Sequence, residues 1–166
     1  MEMDWFVLRT HSRQEKVVED RLALMQIPCY LPRKTEIRQW HDRKKRLRVP
    51  LFPGYVFVQP EAGRYHELNS IRGSCGLVTF NHRPAPIQPR ELSRIRIVTD
   101  CGKGLQVHPH LLVGEKVVIL SGPLKGLEGE LIRIKNGHRL VINAHILGQS
   151  VSLEIGIEEV EKPRPA

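Results

Sequence analysis

The chain has 166 residues, of which 40% are hydrophobic, and it carries a formal net charge of +8. That length allows one medium-sized domain or two small ones. No run approaches the roughly 18 apolar residues that span a bilayer, and Met1-Glu2-Met3-Asp4 lacks the features of a signal peptide. We therefore expect no membrane association. Because the three cysteines are odd in number and far apart, we also expect no disulfide framework and a location in the reducing cytoplasm.

The positive charge lies entirely in the first part of the chain. Residues 1–98 hold 18 Lys and Arg against 10 Asp and Glu, whereas residues 99–166 hold 8 of each. This asymmetry predicts two units with different partners. A basic unit favours nucleic acid or an acidic protein surface.

Strands and helices alternate in the first hundred residues. A strand at 5–10 precedes a helix that begins at Ser12, with Glu15 three residues later in the pattern of a capping box. Pro28 ends this helix, since the residue before proline disfavours helical geometry. Further along, the sequence predicts a short strand at 30–32, a hairpin with strands at 35–40 and 47–50, a strand after the Pro53-Gly54 turn, a helix at 65–71, a strand at 76–80, a loop at 81–89 and a helix at 89–99. This order indicates an α+β domain, an antiparallel sheet with flanking helices.

The strand after Pro53-Gly54 is the most informative segment. A period of two places Tyr55 and Phe57 on one face and Val56 and Val58 on the other. The valine face has the character of a core. The aromatic face must either be covered by a second layer of structure or be offered to a partner.

The hairpin just upstream is the most basic stretch. Residues 33–48 contain eight Lys and Arg against two acidic residues, and the charged tip is predicted at 41–46. Most charge runs are simply solvated, but an excess of this size favours contact with phosphates, which is sequence-independent and salt-dependent. We hypothesise that the hairpin reaches DNA through a set of cations: Arg43, Lys44, Lys45, Arg46 and Arg48.

The second half has a different composition. Residues 100–112 have the character of a linker, and no helical pattern follows. Asn136-Gly137 is a strong two-residue hairpin signal. Five short strands are predicted at 116–120, 130–135, 139–144, 151–155 and 157–160, followed by a tail at 162–166. Such a series of strands and turns indicates a small closed barrel.

The glycines of this half follow a specific spacing. Gly114, the Gly122-Pro123 loop, Gly126 and Gly129 closely resemble the KOW motif, in which glycines permit tight backbone at the corners of an SH3-like barrel. KOW barrels also occur in ribosomal proteins. This half alone therefore leaves the partner open.

The first half narrows the choice. Its amino-terminal Trp5-Phe6-Val7-Leu8, its hairpin, the segment 51–58 and Arg83-Pro84-Ala85-Pro86-Ile87 together resemble the amino-terminal domain of the NusG family of transcription elongation factors. With the KOW half attached, the resemblance covers nearly the whole chain in the family's domain order. It implies an RNA polymerase-binding domain at 1–99, a linker at 100–112 and an all-β SH3-like KOW barrel at 113–161.

The resemblance also implies partners. The family binds bacterial RNA polymerase, bridges its clamp and the opposing lobe across the DNA channel, and has no catalytic site. The clamp contact carries over to an apolar patch here, and the contact with the opposing lobe carries over to the start of a helix, followed by Arg72-Gly73 at the family's spacing. The residues concerned are Phe52, Pro53, Tyr55 and Phe57 for the clamp, and Tyr65 and His66 for the lobe.

In relatives the barrel contacts a ribosomal protein or a termination factor through the loop that corresponds to residues 145–149. The resemblance therefore assigns partner binding to Ile146, Leu147 and Gln149. Leu147 replaces the family's usual aromatic residue and Gln149 its usual basic residue. These departures favour a specialised paralogue of the RfaH-like or polysaccharide-operon type over the housekeeping member.

Two other classes remain as alternatives. The segment 54–58 also resembles the aromatic strand of an RRM, whose aromatic residues stack on RNA bases. Pro53 replaces the expected basic residue, however, and the sequence has no second aromatic strand of the matching type, since Trp5-Phe6-Val7-Leu8 lacks the usual neighbours. A ribosome-associated KOW protein is the third class. The chain has no nucleophile elbow, phosphate loop or zinc-ligand spacing, so we expect a monomeric non-enzyme without metal or cofactor.

Overall fold

The structure is a computed structural model that describes residues 3–163, and it divides into two compact units, residues 1–89 and 90–166. Residues 164–166 of the predicted tail lie outside the described residues. Within the described part, no helix is long and apolar enough to cross a membrane, and no group of three or more His, Cys, Asp or Glu side chains could hold a metal ion.

The first unit contains two helices and nine strands among its described residues. The strands are β1 (Trp5–Thr10), β2 (Cys29–Tyr30), β3 (Arg33–Gln39), β4 (Lys44–Pro50), β5 (Tyr55–Val58), β6 (Ser74–Leu77), β7 (Thr79–Phe80), β8 (Arg83–Pro84) and β9 (Pro86–Ile87). The helices are α1 (Glu15–Leu24) and α2 (Tyr65–Asn69).

The main sheet of this unit is antiparallel. Its order is β2-β5-β1-β6, and β9 also pairs with the beginning of β1. One face of the sheet packs against both helices, and Val56 and Val58 lie in this core, as the valine face predicts. Their core partners include Phe6, Leu8, Val18, Leu22 and Leu68.

The start of α1 differs from the predicted capping box. The residue that caps the helix is Gln14, and no side chain caps it by a hydrogen bond. Glu15 is buried instead, and its carboxylate accepts a hydrogen bond from the backbone N–H of Gly54, at 2.8 Å. The Glu15 carboxylate therefore bonds to a residue 39 positions away in sequence, whereas the local pattern predicted a bond within the start of its own helix.

The predicted loop at 81–89 is also more ordered than expected. Strands β7 and β8 form a tight hairpin, and its two turn residues, Asn81 and His82, both have positive φ, at 51° and 62°. Two consecutive positive φ values are the signature of the type I′ turn, which matches the twist of the flanking strands.

The second unit is strand-rich. Helix α3 (Pro89–Cys101), which begins on the last residue of the first unit, precedes β10 (Gln106–His108), β11 (Glu115–Ile119), β12 (Glu128–Ile134), β13 (Gly137–Ala144), β14 (Gln149–Ile155) and β15 (Val160–Glu161). The sheet order is β10-β14-β13-β12-β11-β15. The predicted fold class, an α+β domain followed by an all-β KOW domain, is confirmed.

Three details of the second unit were not expected from the sequence. The predicted linker contains β10, which pairs with β14. The strand predicted at 157–160 is mostly a 3-10 turn, Ile157–Glu159. Helix α3 falls with the second compact unit, whereas the sequence placed it at the end of the first domain, so the functional boundary at residue 99 stays a prediction.

Candidate functional site

The turn that leads into β5 is held by hydrogen bonds on both sides. Gly54 has a φ of 88°, which is open to glycine and strained for most other residues. Its N–H donates to the Glu15 carboxylate, and its carbonyl accepts from the N–H of Thr10, both at 2.8 Å. Pro53, one residue earlier, is exposed. The turn therefore presents Pro53 from a fixed backbone.

The aromatic face of β5 is covered rather than open. Phe52 is 1% exposed and Phe57 is 0% exposed. Their rings meet edge to face at 6.4 Å, and Tyr30 stacks on Phe57 at 6.1 Å. The prediction that Phe52 and Phe57 themselves are offered to a partner is corrected, because two large apolar rings gain most when they are removed from water.

Pro53 and Tyr55 form the accessible part of the predicted patch. Pro53 is exposed and Tyr55 is partly exposed. Tyr55 lies on β5 opposite Arg9 of β1, next to the turn that Glu15 holds. We refer to Pro53 and Tyr55 as the turn patch.

The second predicted contact lies at the start of α2. His66 is exposed, and Tyr65 is partly buried with its ring edge to face against Phe6 at 5.4 Å. Arg64 donates to both oxygens of the Glu67 carboxylate, at 2.8–3.1 Å, and to the carbonyl of Met25 at 3.3 Å. The hydrogen bond lowers the pKa of Glu67 and raises the pKa of Arg64. These contacts fix α2 to the end of α1.

The basic hairpin is longer and its turn is tighter than predicted. Strands β3 and β4 pair from Arg33 and Pro50 up to Gln39 and Lys44. The N–H of Trp40 donates to the carbonyl of Arg43 at 2.7 Å and closes the turn. Consequently only Arg43 of the five predicted cations lies in the turn. Lys44, Lys45, Arg46 and Arg48 lie on strand β4.

The predicted partner-binding loop of the barrel is a 3-10 turn, His145–Leu147. Gly148 ends the turn with left-handed backbone, φ 64° and ψ 24°, and Gln149 is the first residue of β14. Ile146, Leu147 and Gln149 are all partly exposed. The turn therefore leaves these three side chains partly accessible to a partner.

A buried polar network in the barrel was not found from the sequence. Arg139 is buried, and its guanidinium donates to the hydroxyl of Ser152 at 2.8 Å, to the carbonyl of Ser152 at 3.0 Å and to the carbonyl of Gly104. The Ser152 hydroxyl also lies 2.9 Å from Nε2 of His108 on β10. Burial lowers the pKa of Arg139, and burial together with the Arg139 charge lowers the pKa of His108. The network attaches Gly104 and His108, which lie in the predicted linker, to the sheet.

The model of one protein family, described as "Transcription termination factor nusG", matches residues 3–96. Among curated proteins, three similar chains each carry the name "Transcription termination/antitermination protein NusG". The protein of Borreliella burgdorferi is 26% identical, over 98% of this chain and 100% of that protein. The protein of Thermus thermophilus is 25% identical over the same shares, and that of Pseudomonas aeruginosa is 27% identical over 95% and 97%.

A solved structure gives the same result at the level of the fold. It is titled "Domain interaction in Thermotoga maritima NusG", is 26% identical, covers 99% of both chains and has a TM-score of 0.56. The family model alone spans more than half of the residues, and the relatives extend the match through both units. The chain belongs to the NusG family.

Proposed function

We propose that this protein is a transcription termination/antitermination factor that binds bacterial RNA polymerase through its first unit. The observation that carries the proposal is the family match over residues 3–96, which contains the turn patch, α2 and the basic hairpin. The mechanism needs no catalytic residue, since a bound factor alters pausing by favouring one conformation of the enzyme. A ligand shifts such an equilibrium by as much as it prefers one state to the other.

The clamp contact is made by the turn patch in this proposal. Pro53 and Tyr55 are accessible, and Phe52 and Phe57, which are close to them in sequence, are buried. An aromatic side chain that is anchored on a rigid strand loses little conformational entropy on binding, which is typical of residues that dominate interface energies.

The opposing lobe is contacted by the start of α2, through Tyr65 and His66. The Arg64–Glu67 pair and the hydrogen bond to Met25 hold this helix in place. Two contacts on one rigid unit would bridge two parts of the polymerase that move relative to each other, and so favour a closed, elongating state. The basic hairpin would add contact with DNA at the transcription bubble.

The barrel recruits a second protein through Ile146, Leu147 and Gln149. A ribosomal protein or a termination factor is the class of partner that the family resemblance implies. Leu147 and Gln149 at these positions support a specialised paralogue, whose barrel partner differs from that of the housekeeping member.

The RRM alternative meets a specific obstacle. An RRM needs its strand aromatics open on the sheet surface so that bases can stack on them. Phe57 is completely buried here. Its position favours the polymerase-binding proposal over a single-stranded RNA platform on this strand.

Single-round transcription by bacterial RNA polymerase tests the proposal. The template carries one defined pause and one intrinsic terminator, and the intact chain is added to halted elongation complexes. The proposal expects a reproducible change in pause lifetime or in readthrough, in proportion to the amount of chain until the polymerase is saturated. Unchanged lifetimes and unchanged readthrough at saturating chain would overturn it.

A further inference from the structure

The two faces of the basic hairpin differ sharply in charge and exposure. Cross-strand partners in an antiparallel pair point to the same side, so the register of β3 and β4 sorts their side chains into two sets. Leaving aside the Arg33–Pro50 pair at the base of the hairpin, we call one set the basic face: Thr35, Ile37, Gln39, Lys44, Arg46 and Arg48. We call the other the paired face: Lys34, Glu36, Arg38, Lys45, Leu47 and Val49.

Every cation of the paired face is already engaged. Glu36 accepts from Arg38 at 3.2 Å and lies 3.5 Å from the ammonium of Lys34. The ammonium of Lys45 lies 4.5 Å from the centre of the Trp40 ring, a cation–π contact. Most of this face is also partly buried, so a polyanion would have to displace existing partners to use it.

The basic face shows the opposite pattern. All six of its residues are exposed, including Ile37 at 64%. It carries no carboxylate, and none of Lys44, Arg46 and Arg48 forms an ion pair with a residue in the range 3–163. Arg33, at the base of the hairpin, is paired with Glu19 of α1. Three cations thus face solvent together without a counter-charge from the residues that the structure describes.

The spacing of these cations suits a phosphate backbone. Alternate residues of a strand are about 6.8 Å apart, and one strand of duplex DNA carries a charge every ~3.4 Å along the axis. Lys44, Arg46 and Arg48 are therefore spaced so that each could meet a separate phosphate of one DNA backbone.

We propose that the basic face, rather than the tip or the paired face, binds the phosphate backbone of duplex DNA. The inference rests on the proposed function, which brings the hairpin to DNA, and it adds the face and the form of the ligand. Single strands are bound chiefly by aromatic stacking, yet the basic face has no aromatic residue, and the ring of Trp40 lies under Lys45 on the other side. Binding is therefore sequence-independent and stronger for the duplex.

Two matched double variants test the face. Lys44→Gln with Arg46→Gln removes two charges from the basic face. Arg38→Gln with Lys45→Gln removes one arginine and one lysine from the paired face, so the change in net charge is identical. Binding of the intact chain and of each variant is measured by fluorescence anisotropy over a range of salt, with a labelled duplex and with one of its single strands.

The expected results are quantitative. Each lost phosphate contact reduces the magnitude of the negative slope of log affinity against log salt by about 0.9. The slope of the basic-face variant should therefore be smaller in magnitude by about 1.8. The paired-face variant should keep the slope of the intact chain. Between ~50 and ~200 mM salt the intact chain should therefore lose roughly 12-fold more affinity than the basic-face variant. Equal effects of the two variants, no salt-dependent binding by the intact chain, or preference for the single strand would each overturn the inference.

Capture of bacterial RNA polymerase by the same three proteins separates this inference from the proposed function. Both variants should be captured as well as the intact chain, because the turn patch is unchanged. If the polymerase is captured normally but the DNA-binding results contradict the expected difference between the two faces, only the inference is overturned. If the intact chain does not capture the polymerase but the basic-face variant alone loses duplex binding, the proposed function is overturned and the assignment of duplex binding to the hairpin stands.

Discussion

The carboxylate of Glu15 and the backbone N–H of Gly54 are joined by a 2.8 Å hydrogen bond. This bond connects the first turn of α1 to the turn that presents Pro53. Glu15 is 6% exposed, so water cannot replace it easily. The orientation of the turn patch therefore depends on a residue that is 39 positions away and lies on another element.

This relationship predicts different effects for two substitutions of Glu15. Glu15→Ala leaves the Gly54 N–H without an acceptor in a partly buried place and should lower the free energy of unfolding by about 1–3 kcal/mol. Glu15→Gln retains an oxygen that can accept the bond and should lose less than half as much. Urea unfolding followed by circular dichroism measures both, and equal losses would show that the hydrogen bond contributes little.

Gly73 should be intolerant of alanine for a steric reason. Its φ is 92°, and an added Cβ would lie 2.9 Å from Cβ of Gln14. Gly63 has a similar φ, 88°, with no atom within 4 Å of the added Cβ, so Gly63→Ala reports backbone strain alone. Gly73→Ala should cost about 1–3 kcal/mol more than Gly63→Ala in unfolding free energy, because the start of α1 must shift. Similar costs at the two positions would argue against the close contact.

The two aromatic residues of β5 should contribute unequally to stability. Phe57→Ala removes a fully buried ring and should cost about 3–5 kcal/mol of unfolding free energy. Tyr55→Ala removes a partly exposed ring and should cost much less. Thermal and urea unfolding of the two variants test this difference, and a loss of stability at Tyr55 equal to that at Phe57 would contradict the assignment of Tyr55 to the accessible patch.

The His108 network should make the stability of the protein depend on pH. The folded-state pKa of His108 is lowered from its ordinary 6.5, so the unfolded chain binds a proton more readily than the folded chain. His108 therefore costs no stability above about pH 6.5, and stability should fall as the pH drops through that value toward the lower folded pKa.

A substitution isolates this contribution. His108→Gln keeps a polar partner for Ser152 and should flatten the part of the stability curve below about pH 6.5 that His108 produces. His138 lies in the same unit, and His138→Gln, which leaves the Arg139–Ser152–His108 network intact, serves as the matched control. A curve of identical slope in the intact chain and in the His108 variant would rule out the network as its source.

Local patterns predicted much of the fold because their causes are local. The alternation of Val56 and Val58 identified the core face, and Asn136-Gly137 marked the turn between β12 and β13. The capping box failed because Glu15 is used by Gly54, a contact that no nearby residue reveals. Strand β10 was missed since a three-residue strand is too short to show periodicity and depends on pairing with β14.

The candidate site was predicted in outline and altered in detail. Periodicity assigns Phe57 to a face, but it does not say what covers that face, so the burial of Phe52 and Phe57 required the structure. The engagement of Lys45 by Trp40 likewise depends on which cross-strand neighbours share a side. Arg139 escaped notice because its burial is made possible by Ser152 and Gly104, which are distant in sequence.

The central claim is that the turn patch holds the protein on RNA polymerase. The most direct measurement is the affinity of bacterial RNA polymerase for the intact chain, for Tyr55→Ala and for Phe80→Ala, an exposed aromatic residue on the β7–β8 hairpin. The account predicts binding by the intact chain, a loss of about tenfold or more with Tyr55→Ala in a folded variant, and no loss with Phe80→Ala. No binding by the intact chain, or unchanged binding by Tyr55→Ala, would contradict it.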